Sequence, residues 1–189
     1  MKIFAVFAKV ELTKNPEWLD AFRKKYHDEY QSHVTLKQMC FIEDDQIPDV
    51  KARVSEAMRD SIVPEHVIRV VFDQLKDFDI KNSDTGLCVP IFADANEKLH
   101  ALQKRICVSL KSYTRYFEKE LKQYEEHFSP HITIGDGLTA EQYFQAIREL
   151  REHGDYACEG SIREVVLSVI PEFTAKEAKN ENNWTTYTL

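Results

Sequence analysis

The chain has 189 residues, 43% of them hydrophobic, 11% aromatic and 30% charged, with a formal net charge of −7. That composition fits one folded domain or two closely joined lobes and excludes a disordered chain. A net acidic protein without a basic stripe is poorly suited to a long duplex, and no apolar stretch approaches the roughly 18 residues that span a membrane.

The N-terminal run MKIFAVFAKVEL is interrupted by Lys9 and Glu11, with no small-residue cleavage site after it. It predicts a strand over 2–10 rather than a leader. Over 13–30 the spacing predicts a helix, with Asn15 as its cap, Pro16 in the first turn, and Trp18, Leu19, Phe22 and Tyr26 on one face. The next stretch, SHVTLKQMCFI, alternates as a strand does. His33, Thr35 and Lys37 fall on one face and Val34, Leu36 and Gln38 on the other.

A second helix is expected over 48–63, ended by Pro64, followed by strand-like sequence over 65–80. The run 84–93 predicts another strand, entered through a turn at Gly86, with Pro90 marking an edge or a bulge. Asp94 is placed to cap a helix carrying Leu99, Leu102, Ile106 and Leu110. Residues 111–128 are charged and aromatic, a helix or a long loop, and SPHITIG at 129–135 is a strand. Thr139 and Gly154 bound a well-marked helix. Strands are expected over 161–172 and over 184–189. Strands and helices mix without strict alternation, which predicts an α+β fold with mainly antiparallel sheets.

The four cysteines have neither CxxC nor zinc spacing and read as reduced thiols of a cytoplasmic protein. All but Cys158 stand in apolar surroundings. His127 and His131 are four apart, a metal spacing on a helix, but Pro130 between them is incompatible with a helix interior. His27, His66, His100 and His153 read as surface or structural residues.

One arrangement recurs. A helix leads into a strand carrying His-x-Thr twice: His33-Val34-Thr35 and, 98 positions later, His131-Ile132-Thr133. On a strand, i and i+2 share a face, so each unit sets an imidazole beside a hydroxyl while the intervening apolar residues anchor the other side. Two such units, with Pro130 ahead of the second, resemble the signature of the 2H phosphoesterases, the group that includes RNA 2′,3′-cyclic phosphodiesterases once called 2′-5′ RNA ligases. The resemblance covers most of the chain in layout, though only the two motifs are specific.

It implies one bilobal domain over 1–189, with two pseudo-symmetric lobes of antiparallel sheet facing across a cleft. It also implies catalysis by His33 and His131 as acid and base, with Thr35 and Thr133 on the phosphate, and no metal or other cofactor. Lys37 is a candidate phosphate contact, and Gly135 holds the equivalent place in the second motif. The expected substrate is a small nucleotide or RNA end with a 2′,3′-cyclic phosphate or 2′-5′ linkage, handled by a monomer. Narrower substrates (a cyclic phosphate of ADP-ribose, a 2′-5′ oligoadenylate, a lipid-derived diester) remain open. So does a non-catalytic nucleotide or RNA-end binder on the same scaffold. Tyr26, Tyr30, Phe41, Tyr113, Tyr116 and Trp184 are candidates for stacking on a base.

Overall fold

The computed structural model describes residues 1–28, 30–59, 66–76, 87–93 and 96–189. Within them the chain forms two antiparallel sheets with helices packed about them. The first sheet has the order β3-β1-β8-β9, from β1 (Lys2–Lys9), β3 (His33–Ile42), β8 (Glu164–Ile170) and β9 (Trp184–Thr188). The second has the order β2-β7-β4-β5-β6, from β2 (Glu11–Lys14), β4 (Ile68–Gln74), β5 (Leu87–Ala93), β6 (His131–Leu138) and β7 (Cys158–Ile162). The α+β expectation holds. Among the described residues no helix is long and apolar enough to cross a membrane.

The helices are α1 (Leu19–Lys25), α2 (Ile47–Arg59), α3 (Glu97–Ser109), α4 (Leu121–Glu126), α5 (Ala140–His153) and α6 (Ala175–Lys179). Helix α5 obeys its sequence signals closely. The Thr139 hydroxyl accepts from the Gln142 amide in a reciprocal capping box, and Gly154 ends the helix at φ 72°. Elsewhere the sequence signals misplace the ends. Asn15 does not cap α1, which starts after Trp18 without a side-chain cap and stops at Tyr26. The cap of α3 is Asn96, whose side chain accepts from the Leu99 amide; Asp94, like Pro64 and Gly86, lies outside the described residues.

The sequence 161–172, expected as one strand, is divided at Arg163. Its start belongs to β7 in one sheet and its remainder to β8 in the other. Pro90 is at a bulge and not at an edge: β5 lies between β4 and β6, with a register shift at Val89/Pro90. Cys158 is fully buried within the apolar core, so the exception made for it does not hold.

Among the described residues one apolar core joins the two sheets and the helices. Phe4, Val34 and Leu36 enter it from the first sheet, Phe72, Ile91 and Ile132 from the second, and Phe22, Val54, Ile106 and Leu150 from the helices. The residues between Val34, Leu36, Ile132 and Ile134 are thereby turned away from the core.

Candidate active site

Strands β3 and β6 lie against one another and carry the two His-x-Thr units at their starts. The local geometry of the units matches closely. His33 Nδ1 donates to the carbonyl of Gln31 at 2.8 Å, and His131 Nδ1 donates to the carbonyl of Ser129 at 2.9 Å. A carbonyl can only accept, so Nδ1 carries the proton in each ring and Nε2 is the atom left for chemistry. Each ring also leans on a phenylalanine: Phe7 against His33 at 5.1 Å between centroids, and Phe92 against His131 at 5.2 Å.

Both strands contain the same pair of irregularities. Against β1, the β3 register slips between Phe4 and Val6 and again between Val6 and Phe7. Against β5, the β6 register slips between Leu87 and Val89 and again between Val89 and Pro90. Each slip is an extra residue, a bulge that reverses the facing of the residues beyond it. In β3 the reversal begins after Thr35, so Leu36 and Lys37 are both buried while Gln38 comes round to the cleft. In β6 it begins after Thr133, so Ile134 and Gly135 are both buried while Asp136 comes round. A Cβ on Gly135 would lie 3.1 Å from Tyr26 Cβ and 3.3 Å from Val89 Cγ2, a tight fit that a side chain could take only if these neighbours gave way by a few tenths of an ångström.

Lys37 therefore does not share a face with His33 and Thr35, and the phosphate contact expected of it is corrected. It is 1% exposed, and its ammonium donates to Glu125 Oε1 at 2.8 Å and to the Tyr116 hydroxyl at 3.3 Å. Burial is the largest influence and pushes this ammonium down, but the Glu125 carboxylate together with Cys40 and Tyr116 outweighs it and holds the group above its ordinary value.

The backbone amides freed by the bulges are satisfied from outside the sheets. Gln38 N–H donates to Glu125 Oε2 at 3.3 Å, and Asp136 N–H donates to the Tyr26 carbonyl at 3.0 Å. Glu125 belongs to α4, which leads to the His131 unit, and Tyr26 caps α1, which leads to the His33 unit. Each motif strand is thus braced by the helix that introduces the other.

Between the sheets is a cavity of about 520 Å³, the size of small-molecule sites. His33, Thr35 and Thr133 line it. His131 is not among its lining residues. It stands two positions from Thr133 on the same strand, near enough to His33 that the two ring charges oppose each other. Burial is the main influence holding the His131 imidazole below its ordinary value, and the charges of His33 and Lys76 add to it. Among the described residues neither threonine hydroxyl is engaged in a hydrogen bond, so both can donate to a ligand.

Two cations with no motif signal in the sequence stand beside the histidines. Lys76 donates to the Ser129 hydroxyl at 3.3 Å and lies over the Phe92 ring. Lys9 pairs with His33 across β1 and β3 and bridges to Glu164 at 3.1 Å. Each reaches the site through a strand partner distant in sequence, so spacing could not have found it. Asp28, buried and fastened to Arg23 at 2.6 Å, fixes the turn before His33; burial raises its carboxyl against the pull of that guanidinium.

Of the candidate stacking residues, only Tyr30 and Trp184 line the cavity. Tyr26 and Tyr113 are core residues with hydroxyls on Glu149 and Asp49, Tyr116 serves Lys37, and Phe41 meets Phe117. His127 comes directly after the last residue of α4 and turns its ring to the Gln123 carbonyl.

The family model described as the 2′-5′ RNA ligase superfamily matches residues 9–170, most of the chain. No curated protein sequence matches it. Among solved structures, Usb1 of Kluyveromyces marxianus is similar in fold, with a TM-score of 0.54 at 11% identity, covering 99% of this chain and 98% of that one.

Proposed function

The chain belongs to the 2′-5′ RNA ligase superfamily, and on that premise we propose that it is a phosphodiesterase opening 2′,3′-cyclic phosphates, or cleaving 2′-5′ phosphodiesters, in nucleotides or RNA ends without a metal. The observation that carries this reading is the pair of imidazoles held in one tautomer by equivalent carbonyls, with two uncommitted threonine hydroxyls beside them. In the reaction a water oxygen attacks phosphorus while one Nε2 takes its proton. The bond from phosphorus to the ribose oxygen breaks, and the other Nε2–H protonates that oxygen. The threonines donate to the non-bridging oxygens as charge gathers there. His131, disfavoured as a cation by its burial, is the base, and His33 the acid.

The test is hydrolysis of a 2′,3′-cyclic nucleotide and of a short RNA ending in a cyclic phosphate, with EDTA present. Turnover supports the reading; binding of both without product would leave a nucleotide-binding protein instead. Thr35→Val and Thr133→Val should each lower kcat by a factor of about 10²–10³ while the melting temperature holds, the loss expected for one preorganised donor.

The depressed His131 sets the pH profile. A base acts in its neutral form, and a lowered value keeps it neutral further into acid. The acidic limb of kcat/KM should therefore fall below 6.5, the ordinary histidine value. Measured rates that drop already above that value would remove His131 as the base.

A further inference from the structure

The cavity floor away from the histidines is built in rows across the first sheet. Ala5 pairs with Ser168, and Ser168 with Trp184, so two small residues end at an indole. The next row toward the histidines carries Phe7 opposite Thr35. Phe7 meets Trp184 edge-on at 5.5 Å between centroids, and the indole N–H is tied to the Ala178 carbonyl at 3.3 Å. Ile3 and Ile170 close the row beyond. The result is a flat slot of small side chains over Ala5 and Ser168, bounded by apolar Ile3 and Ile170 and a fixed aromatic corner, one strand row away from the phosphate site.

Two polar groups look into this cavity from the reversed positions of the bulged strands, Gln38 and Asp136. Among the described residues neither side chain makes a hydrogen bond or ion pair. Of the other carboxylates of the lining, Glu181 is exposed in the turn ahead of β9, and Asp28 is already committed to Arg23. Asp136 is not, and its main chain is pinned by Tyr26. An ionised carboxylate only accepts, and its two oxygens suit two adjacent donors. Of the four common bases, guanine alone presents two adjacent donors, N1–H and N2–H₂, on one edge. Adenine and cytosine offer one donor beside an acceptor, and uracil one donor between two acceptors. Guanine's remaining group on that edge, O6, is an acceptor that the Gln38 amide can serve.

We infer that Asp136, with Gln38, makes the enzyme selective for guanine-bearing phosphodiesters, the base lying over Ala5 and Ser168. This rests on the phosphodiesterase reading for its turnover but not for its binding. The experiment compares kcat/KM for the 2′,3′-cyclic phosphates of guanosine and uridine in wild type and Asp136→Asn, and the affinity of guanosine and uridine 2′-monophosphates by calorimetry. Wild type should favour guanosine by about tenfold or more, as a bidentate base contact does. In Asp136→Asn, where one oxygen becomes a donor, the ratio should fall toward one. Selective binding without turnover would remove the hydrolase reading and leave this inference standing. Turnover of both nucleotides with no preference, a preference unchanged in Asp136→Asn, or no binding of either monophosphate overturns it.

Discussion

Replacing either histidine by alanine should reduce kcat/KM for 2′,3′-cyclic nucleotides by a factor of about 10²–10⁴, the contribution of a positioned acid or base. Neither ring is a core residue: both are partly exposed, and each spends its Nδ1 on a local carbonyl two positions back. Truncation removes a ring contact with Phe7 or Phe92 and leaves the strand's apolar anchors Val34, Leu36, Ile132 and Ile134 in place. The variants should therefore fold, which a thermal melt and far-ultraviolet circular dichroism would establish beside the assay. Acid and base act in one transition state, so the double variant should be little worse than either single one. A folded His131→Ala with undiminished turnover would end the two-histidine mechanism.

The second large effect lies behind the site. Glu125→Ala strands the Lys37 ammonium, 1% exposed, without its carboxylate. Breaking a buried pair from one side costs about 3–5 kcal/mol, because the remaining charge has no solvent to return to. The same substitution strips the acceptor from the Gln38 amide inside the β3 bulge. Stability and turnover should fall together, measured by urea denaturation and by the cyclic nucleotide assay. Lys37→Met combined with Glu125→Leu, which removes both charges, should regain most of the stability. If the double variant is as unstable as Glu125→Ala, the stranded charge is not the cause. The pair also has a pH signature. The folded lysine sits above its ordinary 10.5, so the contribution is full below that value and is lost as pH rises past the folded one.

The sequence displays His33, Thr35, His131 and Thr133 plainly, because two-residue alternation survives at the start of each strand. Past the threonines each strand conceals its facing, for a definite reason. Two bulges in succession shift the register by two residues, and a shift of two restores the parity of the pattern. Val34, Leu36, Cys40 and Ile42 thus read as one uninterrupted buried face, although the strand turns over between them. Only residues between the bulges betray it, and there the signal is Gln38, a polar residue at a position the alternation assigns to the core. Asp136 gives the same signal between Ile134 and Leu138. Lys9 and Lys76 are invisible for another reason: they reach the histidines through β1 and past β5, contacts that only the sheet order supplies. The divided strand at Arg163 is unreadable likewise, since a continuous β-branched run carries no mark of the sheet to which each half belongs.

The exchange of bracing helices bears on how the protein comes to be active. Gln38 and Glu125 are 87 residues apart in sequence, and the second brace, from Tyr26 to Asp136, reaches still further. Neither motif strand can take its final shape while its own half folds alone, because the group that closes its bulge arrives with the other half. Contacts of such long sequence separation form late and slowly. During refolding, secondary structure should return before catalysis, and activity should appear in one late step rather than accumulate half by half. A nascent chain released short of β6 would own a histidine, a threonine and a fold in progress, but no enzyme.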